Sequence, residues 1–519
     1  MTRQSFLKGA FILMVAGFIT KILGFINRIV MARILGEEGV GLYMMAVPTF
    51  ILAITLTQIG LPVAIAKFVA EAEAVNDKQR VKKILTVSLA VTSIISIILT
   101  IGIMLLTPIL AKTLLTDERT YYPLMAILPV VPVIAVSSVL RGYFQGKQNM
   151  KPSAYAQVIE QVVRITIIAV CIRLFLPYGV EYAAAGAMLS AVLGEVASLL
   201  FLLTLFQREK HLSIRSGFFT TVKESKNTFY SLMDIALPTT GSRLIGSVSY
   251  FFEPIVVMQS LAIAGVAASV ATQQYGILNG YAFPLLSLPA FITYALSTAL
   301  VPSISEAMAK RQHKLVEHRL QQALRISLIT GGWSVVILYV FASPVLTLMY
   351  GSDNAAAFIQ LLAPCFLFHY FQSPLTSVLQ ALNLARAAMM NTFIGAIVKL
   401  IVIFVLASRP EFQMMGVALA IAANIVTVTF LHYATVLKKI AFTIYAKDYI
   451  FGGIAIGIAG TFGFYLHKYI VFSHSLGIQT LWEITLTTIV YIVLLFVFKL
   501  IRKEELSRLP IIRKLSFLK

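Results

Sequence analysis

A succession of long apolar runs is the feature that most constrains this chain. There are fourteen such runs in 519 residues, with approximate limits at 9–34, 41–66, 84–110, 121–140, 157–177, 182–206, 229–258, 261–301, 325–349, 355–382, 388–407, 413–436, 449–467 and 479–498. Because a membrane-spanning helix needs about 20 apolar residues, each run is long enough to cross a bilayer. The runs are continuous, whereas the strands of an outer-membrane barrel alternate apolar and polar residues. The sequence therefore predicts an all-α integral membrane protein with fourteen transmembrane helices.

The composition excludes an ordinary water-soluble or disordered chain. Hydrophobic residues make up 59% of the sequence and charged residues only 12%, whereas soluble domains carry about 25% charged residues. Cys171 and Cys365 both lie inside apolar runs, without the spacing of a disulfide framework or a zinc site. The sequence has no GxxxxGK[ST] phosphate-binding loop and no HExxH motif. We therefore predict no cofactor, no metal and no catalytic residues.

The distribution of the basic residues predicts the orientation. The formal net charge is +20, which we assign to loops facing the cytoplasm and anionic lipid rather than to nucleic acid. When the N-terminus and every second loop are placed on one side, the other side keeps only six basic residues: Arg33, Lys112, Arg119, Arg173, Arg409 and Lys468. The positive-inside rule then predicts a multi-pass protein of the cell membrane with both termini in the cytoplasm.

A weak internal repeat predicts two related lobes. A glutamine and two basic residues recur with spacings of 6 and 13 in each half: Gln145, Lys151 and Arg164, then Gln380, Arg386 and Lys399. The repeat predicts six-helix lobes at 1–207 and 229–440, a basic cytoplasmic linker at 208–228, helices 13 and 14 within 441–500, and a basic cytoplasmic tail at 501–519. Since six is even, the lobes are related by a parallel pseudo-two-fold axis along the membrane normal. Transporters of this construction bind substrate between the lobes.

Five basic residues fall inside the predicted spans: Lys21, Arg28, Arg164, Arg243 and Lys399. A charge at the bilayer centre costs about 2.5–3.5 kcal/mol on insertion scales, so such residues face a wet cavity or a partner. Lys21 and Arg28 are seven residues apart and share one face of the first helix, with Asn27 beside Arg28. Snorkelling towards the interface is the alternative for this pair.

The seventh span carries a polar stripe at helical spacing: Thr239, Arg243, Gly246, Tyr250 and Glu253. Because the other faces of this helix are apolar, the stripe predicts a cavity lining. The alternative is an intramembrane ion pair of Arg243 that stabilises the bundle. Either way, the embedded cations outnumber the unpaired acids, and this balance favours an anionic substrate, with arginine suited to phosphate groups.

The remaining embedded charges admit two interpretations. Glu160 precedes Arg164 by four residues, a spacing that favours a local ion pair with either a structural or a functional role. Lys399 occupies the repeat position of Arg164, which favours an inward-facing pair across the halves. Glu195 and Asp234 are the other acids in or near the spans. Each of these acids is a candidate to neutralise the cations or to carry a coupling proton.

Two N-terminal motifs carry a family resemblance. The stretches GFINRIVMARILGEEGVGLY and IGLPVAIAKFVAEA resemble the opening of the polysaccharide-transporter branch of the multidrug/oligosaccharidyl-lipid/polysaccharide exporter superfamily. The resemblance covers the whole chain and implies alternating access through a V-shaped cavity. It implies that Lys21 and Arg28 hold a lipid diphosphate, with Asn27 where relatives carry arginine. Related lipid II flippases also have arginine in their second and eighth spans, where this chain has none, and Arg243 is a candidate to supply that charge.

The resemblance implies a flippase for a polyprenyl-diphosphate-linked saccharide, the peptidoglycan precursor lipid II, used in spore cortex synthesis. Membrane lipids and cell-wall synthesis enzymes are the candidate partners. A cation-coupled drug exporter of the same superfamily is one alternative, and it predicts acids rather than bases along the first helix. A membrane glycosyltransferase or polymerase is another, and it requires a catalytic constellation in a sizeable outer loop. A non-transporting scaffold leaves the embedded cations unexplained.

Overall fold

A computed structural model describes residues 6–208, 225–440 and 446–501 as helices joined by short connections. No β-strand occurs in these three ranges, so the all-α prediction is confirmed. The α-helices are α1 (Phe6–Gln58), α2 (Leu61–Ala74), α3 (Lys78–Ile109), α4 (Tyr121–Ile127), α5 (Val130–Gly146), α6 (Lys151–Phe175), α7 (Val180–Gln207), α8 (Lys226–Ile263), α9 (Ala268–Gly276), α10 (Phe283–Ser287), α11 (Ala290–Ala309), α12 (His313–Val340), α13 (Ala342–Tyr350), α14 (Ala356–Ala381), α15 (Ala385–Ala407), α16 (Gln413–Leu437), α17 (Ala446–Tyr469) and α18 (Leu476–Val497).

Ten helical stretches of the described chain are long and apolar enough to cross a membrane. There are eleven if the pair Ala268–Ser287 and Ala290–Ala309, bent by 52°, counts as one span. This number is smaller than the fourteen runs of the sequence for two reasons. The first two runs merge with α2 into one helical stretch, Ile12–Ala74, and neither α6 nor α14 is among the ten stretches. The count of fourteen remains a prediction.

The first two predicted spans are the arms of α1. The helix continues from Phe6 to Gln58 across a kink at Gly36, whose φ of 72° lies in the left-handed region. Glycine has no Cβ and adopts this conformation without strain. A second break separates α8, which ends at Ile263, from α9, which begins at Ala268, a few residues after the gap between the runs 229–258 and 261–301. These two breaks bring the start of the second arm of α1 beside α9.

The described residues form two compact units. The first unit extends through Gly280 and includes Phe404–Met414, and the second comprises Tyr281–Ile403 and continues from Met415. The first unit has a core between α2, α3 and α5, in which Tyr143 and Phe144 are almost completely buried. The seventh predicted span, α8, packs on α1 and α2 within this unit.

The second unit is organised around α12 and α14. Their core includes Leu320 and Leu375, and Tyr370 donates a hydrogen bond to the carbonyl of Leu286 at 2.8 Å. The two C-terminal helices, α17 and α18, pack on α12, where Tyr491 donates to the carbonyl of Ile329 at 3.0 Å. The lobes inferred from the repeat remain a prediction, and most of the predicted linker and tail lies outside the described residues.

Candidate functional site

The first arm of α1 presents its predicted site residues in three different environments. Lys21 is exposed, Arg28 is half-buried, and Asn27 is only 6% exposed. The Asn27 side-chain oxygen is buried and has no hydrogen-bond partner. Lys21 and Arg28 are about 10 Å apart along the axis at 1.5 Å per residue. The two cations therefore stand one above the other on the helix, while Asn27 is turned into the protein.

The predicted stripe lies on α8, which is a continuous helix from Lys226 to Ile263. Arg243 and Gly246 are exposed, Tyr250 is half-buried and Glu253 is buried, with 4% exposure. The stripe thus changes along the helix from an exposed guanidinium to a buried carboxylate. An exposed arginine on a membrane-spanning helix is costly in lipid, and Arg243 is the first residue of the apolar stretch Arg243–Ile263.

The two helices bring these residues together. The hydroxyls of Thr55 on α1 and Ser247 on α8 are 2.7 Å apart, which fixes the second arm of α1 on the stripe. Arg28, Tyr43 and Glu253 are all close enough for their charges to act on the hydroxyl of Tyr250. Arg28 of α1 therefore lies near the Tyr250–Glu253 end of the predicted stripe of α8. This face of Arg28, Arg243, Tyr250 and Glu253 is called the α1–α8 face below.

Tyr43 and Tyr275 extend the α1–α8 face beyond the residues predicted from the sequence. Tyr275 lies on α9, is 1% exposed, and interacts electrostatically with Tyr250 and Glu253. The face therefore combines two guanidiniums with one carboxylate and several phenol hydroxyls. Guanidinium groups bind phosphate oxygens in a bidentate manner, and the hydroxyls and the carboxylate are suitable acceptors and donors for sugar hydroxyls.

Arg164 belongs to a separate charged network inside the first unit. It donates to Glu160 at 2.7 Å within α6, as the four-residue spacing predicted. Glu160 also lies 3.5 Å from Arg141 of α5, and Arg141 is 3.1 Å from Glu195 of α7. Ser137 donates to Glu195 at 2.5 Å. Both predicted coupling acids of this network thus contact arginine.

The predicted run 121–140 ends one residue before Arg141, but the helix does not. The helix α5 continues to Gly146, so Arg141 lies within it, with 22% side-chain exposure. The carboxylate of Glu195 was the available indication, since a buried acid requires a partner. Arg141 is therefore a partner of the embedded acids that the apolar run left out.

Two further predicted residues lie on α8 and α15. Asp234 is exposed on the first turns of α8. Lys399 is half-buried on α15, in the second unit. That unit also contains a polar network that the sequence did not indicate, in which Asn391 of α15 contacts His432 of α16 at 3.1 Å and Thr435 at 3.0 Å. Its members are scattered singly through apolar runs.

Comparison with known proteins adds a family to this geometry. Residues 6–308 match the model of the family described as polysaccharide biosynthesis protein, and residues 279–405 match MatE. The chain is 58% identical to stage V sporulation protein B of Bacillus subtilis (strain 168) over 99% of both chains. It is 24% identical to lipid II flippase MurJ of the same organism over 76% of both chains.

A solved structure has the same fold. The structure of lipid II flippase MurJ in an inward closed conformation superposes with a TM-score of 0.69, covering 93% of this chain and 98% of that chain at 16% identity. Together, the relatives and the fold support a multi-pass membrane transporter rather than an enzyme. By the family match and the 58% identity, the chain belongs to the polysaccharide biosynthesis protein family, within the multidrug/oligosaccharidyl-lipid/polysaccharide exporter superfamily.

Proposed function

We propose that the protein is a flippase that moves a polyprenyl-diphosphate-linked saccharide across the cytoplasmic membrane by alternating access. The observation that carries the proposal is the α1–α8 face, where Arg28 of one spanning helix lies near the Tyr250–Glu253 end of the stripe of another. Two guanidiniums and the ammonium of Lys21 provide positive charge where a hydrocarbon environment otherwise excludes it. A diphosphate is the part of such a substrate that cannot cross the bilayer unaided.

We propose lipid II as the substrate and spore cortex synthesis as the context. The relative at 58% identity is named for sporulation, and the relative at 24% identity for lipid II. The full proposal includes fourteen spans, two six-helix lobes with helices 13 and 14 outside them, and both termini in the cytoplasm. Lys399 and Arg164 are proposed as repeat-related residues, and Asp234 as an acid near the cytoplasmic end.

The second candidate is a cation-coupled drug exporter, which the MatE match at 279–405 favours. Such a protein needs an acid that remains available to a cationic substrate or ion. Glu160 and Glu195 are instead each within 3.5 Å of arginine. The charge balance of the α1–α8 face is also positive, so the anionic lipid is the better match.

Reconstitution tests the proposed function directly. The purified full-length protein is placed in vesicles with a fluorescent lipid-linked precursor, and the fraction accessible in each leaflet is followed over time. We expect protein-dependent equilibration of the diphosphate lipid between the leaflets. Equal rates in protein-free vesicles, or transport of a cationic drug with none of the lipid, would contradict the proposal.

A further inference from the structure

A cluster of charged and polar side chains joins α1 to α9 beside the kink at Gly36. Arg119 lies in the short connection between α3 and α4 and contacts Glu38 of α1 at 2.7 Å. The same guanidinium contacts Asp117 at 2.9 Å. Asp117, which is 5% exposed, accepts a hydrogen bond from Thr272 of α9 at 2.7 Å. Two ion pairs of Arg119 and one hydrogen bond to Asp117 therefore connect three separate segments.

The backbones of α1 and α9 touch inside this cluster. A Cβ placed on Gly276 would lie 2.5 Å from the backbone nitrogen of Gly41, and one placed on Gly41 would overlap the carbonyl group of Thr272. Only glycine permits so close an approach. Gln273 adds a hydrogen bond to Glu37 at 2.8 Å. The two backbones are therefore in direct contact, and charged and polar side chains lie beside that contact.

This contact differs in kind from ordinary helix packing in the unit. Val40 and Thr272 are fully buried, but the ion pair above them is partly open, with 32% side-chain exposure at Arg119 and 38% at Glu38. Below the ion pair the contact is apolar, since Val40 of α1 and Ala271 and Tyr275 of α9 are each at most 1% exposed. Its exposed edge is instead held by charged and polar bonds, which water can replace at a lower cost than buried apolar contacts. This edge is therefore the part of the contact that can open first.

The helix α9 also contributes a residue close to the α1–α8 face. Tyr275 lies between Gln273 and Gly276 in sequence and is close to Glu253 and Tyr250. Thr272, Tyr275 and Gly276 are spaced by three and four residues and share one face of this nine-residue helix, so the tight contact with α1 adjoins a neighbour of the α1–α8 face. A displacement of α9 away from α1 would alter both places together.

We propose that Arg119, bound to Glu38 and Asp117, is a clasp that keeps α9 sealed on α1 and closes the end of the protein that faces outward. Release of the clasp opens this end and frees the α1–α8 face towards the outside. The inference rests on the proposed function, since it regulates access to the same face. It deepens that function because it names the residues that close the outer end, and these residues are not part of the α1–α8 face.

Thiol labelling tests the clasp without any substrate. Cys171 and Cys365 are first replaced by serine, and Tyr275→Cys is introduced as a reporter behind the seal. A membrane-impermeant maleimide is added to intact cells, where it reaches only outward-facing residues. We expect little labelling in this background and an increase of at least about tenfold when Arg119→Gln or Gly41→Ala is added, because loss of a bond to a charged group shifts a two-state equilibrium by at least that factor.

Two matched variants make every outcome informative. Gly102→Ala is the control for Gly41→Ala, because a Cβ at Gly102 has no neighbour within 4 Å, and it should leave the reporter unlabelled. Lys112→Cys, at a side chain that is 75% exposed, should be labelled in every background. Labelling of the reporter in the unaltered clasp, equal labelling with and without Arg119, or no labelling of the Lys112→Cys protein would each overturn the proposal.

A disulfide provides a second measurement that does not depend on the reporter. Glu37→Cys and Gln273→Cys replace a pair that is already in hydrogen-bond contact, and copper phenanthroline oxidises the two thiols to a disulfide. We expect the oxidised double-cysteine protein to bind the lipid diphosphate but to lose at least about tenfold of its transport rate, with recovery after reduction. Undiminished transport by the oxidised protein overturns the clasp, whereas failure of the reduced protein to transport counts against the proposed function alone.

Discussion

The guanidinium of Arg141 and the carboxylate of Glu195 lie 3.1 Å apart on two helices of the first unit, separated by 54 residues of sequence. Arg141 also donates to Ser198 at 3.0 Å, and Glu195 accepts from Ser137. The pair therefore joins α5 to α7, although the buried Nε of Arg141 has no hydrogen-bond partner. Such a pair stabilises the bundle mainly because neither charge can be left alone.

We predict that Arg141→Ala lowers the free energy of unfolding by about 3–5 kcal/mol, because it leaves the Glu195 carboxylate buried without its partner. The measurement is thermal unfolding of the purified protein in detergent. Arg173→Ala is the control, since Arg173 is exposed at the end of α6, and its unfolding temperature should stay near that of the parent. Joint replacement by Arg141→Met and Glu195→Leu should recover part of the lost stability. Equal unfolding temperatures for Arg141→Ala and Arg173→Ala would contradict the prediction.

Arg243→Ala is expected to reduce transport by more than about tenfold while the amount of protein in the membrane stays close to wild type. Arg243 is exposed, so its truncation leaves no buried charge, but it removes a guanidinium that can bind phosphate oxygens. Immunoblots of membranes and the vesicle assay provide the two measurements. If the protein disappears from the membrane together with its activity, Arg243 instead stabilises the bundle.

Much of the fold follows from the sequence, because apolar runs and helical spacing are local properties. The stripe from Arg243 to Glu253 is on one continuous helix, as its spacing predicted, and Arg164 pairs with Glu160. The break between the first two apolar runs is present in the structure, where two helical arms meet at the non-helical backbone of Gly36. The runs predicted where the break lies, but not that a single residue in the left-handed region makes it.

The rest of the candidate site depends on contacts between distant segments. Asp117 meets Thr272 across 155 residues, and Tyr275 approaches Tyr250 from a different helix. Neither residue stands out in the sequence, since a lone acid in a connection is ordinary and a lone tyrosine in a spanning helix fits many positions. Arg141 was missed for another reason, because helix ends are uncertain by several residues when they are read from sequence. A shift of one turn decides whether an arginine is assigned to a loop or to a helix.

The clasp predicts that the stability of the protein depends on pH under acidic conditions. Burial alone would raise the pKa of Asp117, but hydrogen bonds from Arg119 and Thr272 and the positive charge of Arg119 together hold it below the ordinary value of 3.8. The folded state therefore binds the proton more weakly than the unfolded state. Its stabilisation is complete above the ordinary pKa and is lost as the pH falls through the lower folded pKa.

We expect Asp117→Asn to be less stable than the parent by about 1.5–3 kcal/mol at pH 7, because bonds to a charged acceptor are lost. We also expect the difference to shrink as the pH falls below 3.8, since the parent then loses the same charge. Thermal unfolding of both proteins over this range is the measurement. A difference that stays constant with pH would mean that the Asp117 carboxylate is not the titrating group.

The last prediction concerns the charge of the substrate. Lys21 and Arg28 share one face of α1, so two adjacent anionic groups can bind both side chains at once. Lysine acts as a point charge, whereas arginine binds two phosphate oxygens in a fixed geometry. Lys21→Arg should therefore be tolerated better than Arg28→Lys, and the double alanine variant should lose at least about tenfold of its transport rate. The lipid diphosphate should also bind more tightly than its monophosphate analogue.

The matched control is Lys78→Ala with Lys83→Ala, which removes the same number of charges from exposed positions at the start of α3. Normal transport by the double alanine variant of α1, or equal loss in the control, would show that these cations do not hold the diphosphate.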